Sequence, residues 1–368
     1  MKIQNMYKSI KLFGIFIFIF SNCFSQQNNQ WLDSISSDYI SKNNIVGMSV
    51  SIVQPDSIYY GISGVLKQNR NQKIILQSKF FLASLTKSLT SLIAKKMEEE
   101  GLISFDTKFF DVFPELLKIK NAKKYEQITL SELLSHKARI NDFYIYDKTI
   151  IDSVSTKTKK RLELAKLTLT KSRKSKNNYS NVGYIMGALM LEKRAGVDFE
   201  VLVKNTLDSL SLDYLVGYPN TNDVYDTNDT WGHNIFAKEK NRFNLREDNF
   251  FSDFQLPCWG LSMSILDYSL YIQLHLNGLL GKDNFLKSEN YKELHNTFKK
   301  YNFGWITRKL GSFKISTHDG SGGIYFGRTV IVPDEKVAIV VLFNQTATSL
   351  KELNNFIEFI IKNYKQII

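Results

Sequence analysis

The apolar positions follow two different periods, and the period changes along the chain. In residues 30–43, QWLDSISSDYISKN, Trp31, Leu32, Ile35, Tyr39 and Ile40 recur every three to four positions, the spacing of one helix face. Residues 46–66, VGMSVSIVQPDSIYYGISGVL, instead form two β-rich runs broken at Pro55-Asp56, which predicts a hairpin. From Ser84 onward Leu85, Leu89, Leu92, Ile93 and Met97 make a helical stripe that stops at Gly101. ITLSELLSHKARI, 128–140, opens on a capping box, Thr129 with Glu132 three residues on. Ser180 stands before another helical run, NVGYIMGALMLEKRAG, and 261–280 also reads as helical. Beyond residue 300 FGWITRKL, FKISTHDG and GRTVIVPDEKVAIVVLFNQ predict three or four strands, followed by an amphipathic helix, LKELNNFIEFIIKNY.

Strands therefore lie at both ends and helices in the middle. Two strands alone are marginally stable, so the first hairpin needs partners, and the nearest are the strands after 300. The expected fold is α+β, with one antiparallel sheet built from both ends of the chain and flanked by helices. Its sheet lobe covers about 30–80 and 300–368, and a mainly helical lobe, about 84–290, is inserted between them. The sequence has no internal repeat, Pro-rich linker or glycine tract to mark a further boundary. Ser84 falls where the chain leaves the sheet for the helical lobe, so a cleft between the lobes is expected beside it.

Composition adds export to this picture. With 368 residues and 43% hydrophobic content the chain can bury a large core. Residues 1–25 are expected to lie outside that core. Lys2, Lys8 and Lys11 precede the apolar run LFGIFIFIF, 12–20, and small residues follow at Cys23 and Ser25, the layout of a secretory signal. The run is short for a bilayer span. Cleavage after Ser25 leaves 26–368 as the mature domain, periplasmic or extracellular; lipidation of Cys23 is the competing reading, and Asn22 before it fits that poorly. Of the two cysteines Cys258 would then stand alone, without an internal disulfide. The formal charge is +12, yet RNA-binding aromatic–basic motifs, zinc-finger spacings and basic heptads are absent, which argues against a nucleic-acid partner. Anionic cell-envelope material is the partner such a charge would suit. The run 157–176, with nine Lys or Arg against Glu163, reads as a solvated lid.

Three short motifs carry candidate chemistry. Ser84 is the only serine followed three residues on by a lysine, Lys87, and this spacing puts both on one helix face. If that face is buried, a neutral amine beside a hydroxyl becomes accessible, a general base next to a nucleophile. The plain alternative is a solvated polar pair. Tyr179-Ser180-Asn181 enters a helix; a tyrosine near a cation is a competent general base, and an amide can hold a substrate carbonyl or the lysine. The alternative is a core tyrosine followed by capping residues. Tyr218-Pro219-Asn220 repeats the pattern, but in a polar loop with no capped helix after it. Last, STHDGSGGIYFG, 316–327, ends a strand with His318-Asp319-Gly320-Ser321. Gly320 would let a backbone approach ligand, and the N–H groups of Ser321 and Ser84 could pair as an oxyanion hole. A glycine-rich hairpin turn is the alternative.

Taken together, Ser84-x-x-Lys87, Tyr179-x-Asn181 and His318-x-Gly320 stand in the order and rough spacing of the serine β-lactamase and penicillin-binding protein family. They resemble its branch of class C β-lactamases, D-alanyl-D-alanine carboxypeptidases and lactamase-like esterases. SKFFLASLTKSLTSLIAKKMEEEGLISFDTKFFDVFPEL, ITLSELLSHKARI, YSNVGYIMGALMLEKRAG, YNFGW and VPDEKVAIVVLFNQ are each similar to the matching stretch, so the likeness runs from about residue 30 to the C-terminus. A related set pairs S-x-x-K with S-D-N and K-T-G; here the middle element has the Tyr form and the last has His for Lys. The resemblance implies a β-lactamase/transpeptidase-like fold. It makes Ser84 the acylated nucleophile, Lys87 its proton partner and Tyr179 the general base or acid. Asn181 would bind the substrate amide or hold Lys87, His318 would take the place of the strand cation, and Ser84 and Ser321 would supply the oxyanion hole. No metal and no cofactor are implied, and the five histidines show no H-E-x-x-H or paired spacing.

Two departures bear on the substrate. An imidazole is less reliably cationic than an ammonium near neutrality, so His318 suits a peptidase or esterase better than recognition of a lactam carboxylate. Where family members often show Pro-Ala-Gly-Gly-Leu, this chain has LPCWGLSMS, 256–264, whose Trp259 either lines the cleft or belongs to the core. The expected activity is hydrolysis of an amide or ester in a small or peptide-like substrate. A true β-lactamase and a catalytically silent cell-wall-peptide-binding protein are the alternatives.

Overall fold

Two valine- and isoleucine-rich runs from opposite ends of the chain pair with one another. Gly47–Val53 lies antiparallel to Val337–Phe343, with Met48 opposite Phe343 and Val53 opposite Ala338. The computed structural model describes residues 26–140, 142, 154–220, 227–234, 253–298 and 300–366. The expected export segment, residues 1–25 with Cys23, lies outside them. Around the central pair a seven-stranded sheet runs in the order Gln26–Asn28, Ile58–Gly64, Gly47–Val53, Val337–Phe343, Phe326–Val332, Phe313–Ser321, Ile306–Leu310. Its neighbours are antiparallel except the first two, which are parallel.

Strand alternation divides the core in two. Met48, Val50, Ile52, Val337, Ile339, Val341 and Phe343 face the helices Gln30–Asn43 and Leu350–Asn363, against Leu32, Tyr39, Phe356, Ile357 and Ile360. Ala338, Val340 and Leu342 point the other way, into the cluster shared with the helices from the middle of the chain. Small polar side chains on this second face leave room for a helix to approach. Ser51 Oγ meets Ser269 Oγ of the helix Ile265–Leu279 at 2.6 Å.

A second sheet of three short strands was not legible in the sequence: Lys79–Phe81, Leu261–Ser264 and Leu215–Val216, with Leu261–Ser264 in the centre. Residues 261–264, expected as helix, are paired on both edges instead, and Ser264 then caps the helix that follows by accepting from the Asp267 N–H. A four-residue strand running into a helix shows too little alternation to be told apart from it. The basic run corrects a second expectation. Residues Lys157–Leu169 form a helix whose Arg161 is fully buried, bonded to Glu192 and Glu200, with Leu164, Ala165 and Leu169 in the core. This part of the run is a packed element, not a solvated lid.

Candidate active site

The chain leaves the small sheet at Phe81, and Leu82 adds one more backbone bond to Leu261 (2.8 Å) before the path turns. The turn is made by Ala83, whose φ of 48° is uncommon for a residue with a Cβ. Backbone held in this sparsely populated region needs the surrounding structure to enforce it. A 3-10 turn, Ala83–Leu85, then feeds the helix Thr86–Glu99, whose first ten residues are all buried. Ser84 ends half-buried at the mouth of this helix, with Lys87 one turn below it and completely buried.

Among the described residues Lys87 Nζ has three hydrogen-bonded oxygen neighbours: Ser84 Oγ at 3.1 Å, Asn181 Oδ1 at 2.6 Å and the Cys258 carbonyl at 2.6 Å. The last two can only accept. They therefore take two N–H bonds from Nζ, and the one remaining position faces Ser84. In an amine that position is a lone pair able to take the serine proton; in an ammonium it is the N–H able to return it. The geometry is that of a proton shuttle aimed at one hydroxyl.

Asn181 reaches Lys87 because its helix, Asn181–Ala195, is held firmly at its start. Ser180 Oγ caps it by accepting from the Gly183 N–H at 3.0 Å. Asp142 adds a second set of bonds: Oδ1 accepts from Ser180 Oγ (2.6 Å) and from the Val182 N–H (3.3 Å), and Oδ2 from the Asn181 N–H (2.8 Å). A carboxylate at a helix N-terminus also meets the positive end of the helix dipole. The Ser180 N–H goes to His136 Nδ1 at 3.1 Å. Tyr179, just before the cap, is 45% exposed. Its ring centroid lies 4.8 Å from Lys87 Nζ and 4.2 Å from that of His136.

The strand Phe313–Ser321 closes the other side, with Ser316, His318 and Gly320 on one face. His318 is buried, with Nε2 3.3 Å from the Tyr301 hydroxyl, which is itself 3.3 Å from the Tyr184 hydroxyl. Burial, and then the charge of Lys87, push the His318 imidazole down to about 4. This corrects the ordinary histidine value assumed from sequence: His318 is neutral throughout the physiological range, not only above pH 7. Gly320 also has a different task from the expected one. A Cβ there would stand 2.1 Å from the Leu82 carbonyl oxygen, so the missing side chain admits the protein's own turn before Ser84. Ser321 is exposed at the strand end, paired in register with Phe326.

Two sequence candidates belong to packing. Trp259 is 6% exposed, donates Nε1–H to Gln255 Oε1 at 3.1 Å and lies edge-on to Phe81. It is a core tryptophan and not a cleft wall. Tyr218, of the second Tyr-x-Asn pattern, is buried with its ring 4.3 Å from that of Phe81. Sequence reasoning missed His136, Asp142, Tyr301 and the Cys258 carbonyl. His136 lies in LLSHKARI and Tyr301 in YNFGW, stretches that carried the family likeness without being read as chemistry. A backbone carbonyl leaves no trace in side-chain identity.

The beta-lactamase family model matches residues 32–359. Penicillin-binding protein 4* of Bacillus subtilis is 22% identical over 186 residues, 50% of this chain and 40% of that protein, so the match spans under half of that relative's length. The octameric penicillin-binding protein homologue from Pyrococcus abyssi superposes with a TM-score of 0.70 at 20% identity, covering 90% of this chain and 76% of that one. The beta-lactamase/D-alanine carboxypeptidase from Pseudomonas syringae gives 0.69 at 16% identity, over 90% of this chain and 99% of that one. Identities this low speak for the fold alone, and the fold is that of β-lactamases and transpeptidases. The match of the family model over most of the chain adds the kinship: the chain belongs to the beta-lactamase family, whose members are serine hydrolases.

Proposed function

We propose that the protein is an exported serine hydrolase that cleaves an ester or amide bond through an acyl-Ser84 intermediate. The observation that carries this reading is the single uncommitted position of Lys87 Nζ, 3.1 Å from Ser84 Oγ. Ser84 Oγ attacks the substrate carbonyl carbon as its proton passes to the Lys87–Tyr179 pair. The tetrahedral oxyanion is held by the N–H groups of Ser84 and Ser321. Its collapse breaks the bond to the alcohol or amine, which leaves with the proton returned by the pair. Water then attacks the acyl ester by the same route in reverse, releasing the acid and restoring Ser84.

His318 narrows the substrate. A neutral imidazole, bonded to Tyr301, offers no charge to a carboxylate docked beside the strand. The preferred substrate is therefore uncharged at that point, an ester or a capped peptide amide, in preference to a lactam or a free D-alanyl terminus. Export is supported by the basic, then apolar, then small-residue order of residues 1–25. Among the described residues no helix is long and apolar enough to cross a membrane. The net charge of +12 suits anionic envelope material as surroundings.

A fluorophosphonate probe followed by intact-mass analysis tests the central step. Wild type gains one adduct and Ser84→Ala gains none, with stability within about 1 kcal/mol of wild type. Labelling that persists at another serine refutes the assignment. p-Nitrophenyl esters, a cephalosporin and D-alanyl peptides compared side by side then test the substrate. Efficient cephalosporin turnover with weak ester turnover replaces this reading with a true β-lactamase.

A further inference from the structure

Tyr179 poses a mechanical problem. It is 45% exposed, sits on the turn before a helix, and among the described residues its hydroxyl makes no hydrogen bond. A half-exposed tyrosine of this kind would ordinarily sample several rotamers, and a proton-transfer group cannot. Among the described residues the ring nearest to it is the imidazole of His136, 4.2 Å away and tilted by 42°.

His136 is itself fixed from several directions. It is buried, and its backbone has a φ of 60°, rare for a side chain of this size. Its second aromatic neighbour is Tyr301, also at 4.2 Å, and Tyr184 lies 5.3 Å off. Nδ1 accepts the Ser180 N–H, so the ring proton of the neutral imidazole is on Nε2. That Nε2 is buried and has no hydrogen-bond partner among the described residues, leaving its N–H among tyrosine rings. Such a donor can rest against an aromatic face, a weak but directional contact. Satisfying the Ser180 N–H alone would need only a small acceptor such as an asparagine. The planar ring is surplus to that task.

We propose that His136 is a positioning residue for the catalytic reaction: its neutral imidazole is the surface that holds the Tyr179 ring over Lys87. The inference rests on the reading of Tyr179 as a proton-transfer group. Among the described residues the groups facing the His136–Tyr179 pair are Lys87 on the nucleophile helix, His318 on the cleft strand, the phenols of Tyr301 and Tyr184, and Asp142 across the turn from Ser180. Burial, then the nearby Lys87 and His318, hold the His136 imidazole well below its usual range, so it keeps its acceptor lone pair through the working pH range.

The test compares two substitutions that divide the two tasks. His136→Asn keeps an acceptor for the Ser180 N–H and removes the ring. His136→Phe keeps a ring and removes the acceptor. Activity on a p-nitrophenyl ester is normalised to the fraction labelled by fluorophosphonate, which discounts unfolded protein. His136→Asn is expected to lose at least tenfold in kcat, at the low end of general acid–base losses, with KM changed much less. His136→Phe is expected to recover most of the lost kcat. If the Phe variant does not fold, the split between kcat and KM in His136→Asn decides alone. Wild-type kcat in His136→Asn, or a better enzyme with Asn than with Phe, overturns the proposal. Tyr179→Phe, assayed alongside, separates the two levels. Unchanged turnover in that variant removes Tyr179 from the mechanism and this inference with it. Depressed turnover there beside an unaffected His136→Asn overturns only the positioning role.

Discussion

Mild acid should destabilise this protein strongly, because its histidines resist protonation in the folded state, four of the five being buried. All five (His136, His233, His275, His295 and His318) have proton affinities lowered first by burial. His275 and His318 are pushed down to about 3 and about 4. In the unfolded chain each binds a proton as pH falls through about 6.5, and the folded state takes it up only at lower pH. Stability is therefore fully present above about pH 7 and is lost through the window between 6.5 and the folded value. At pH 5 the deficit is about 2 kcal/mol for each of these two residues, about 4 kcal/mol together, against a typical total of 5–15 kcal/mol. The other three act in the same direction. Glu192, whose carboxyl is raised by burial, acts the other way. The structural cause is visible in one buried chain. Ser316 Oγ meets His295 Nδ1 at 2.6 Å, His295 Nε2 meets His275 Nδ1 at 2.9 Å, His275 Nε2 meets Tyr271 OH at 2.9 Å, and Tyr271 donates to Ser88 Oγ at 3.1 Å. With both imidazoles neutral and protonated on Nε2, a single proton order satisfies every link. A proton added to His275 sets two donors face to face across the 2.9 Å contact with His295. Urea unfolding followed by tryptophan fluorescence at pH 7.5, 6 and 5 measures the loss. A stability at pH 5 within 1 kcal/mol of that at pH 7.5 would refute the reasoning.

Three further outcomes are expected. Gly320→Ala must push the cleft strand away from Leu82, at a cost of about 1–3 kcal/mol, with slower labelling of Ser84; an unchanged Tm and labelling rate would show that the contact yields freely. Asp142→Asn removes the charge and one acceptor from the start of the Asn181 helix. It should cost about 0.5–2 kcal/mol and slow acylation, and thermal melts with wild-type values would reject Asp142 as a clamp. Lys87→Met and Tyr179→Phe should each cost roughly 10²-fold or more in acylation, and the double variant little beyond the worse single; losses that multiply independently would reject a shared proton-transfer unit.

Local signals in the sequence were enough for most elements. The hairpin at Pro55-Asp56, the capping box at Thr129, the Ser180 cap and the strands beyond 300 each depend on a few neighbouring residues, and each is where the pattern put it. The same reading placed Ser84 and Lys87 on one face, since three-residue spacing on a helix leaves no other arrangement. Only the tertiary structure could decide the rest. The strands Leu215–Val216 and Leu261–Ser264 are too short to show a period and exist because they pair with each other, Leu261–Ser264 pairing on its other edge with Lys79–Phe81. Lys87 owes its orientation to the carbonyl of Cys258 and the amide of Asn181, partners 171 and 94 residues away. Gly320 is required by the Leu82 carbonyl, which the fold brings against it. His318 shows the division most clearly. Its identity was plain in the sequence, but its proton affinity was not, because desolvation and the charge of Lys87 act through space and not along the chain.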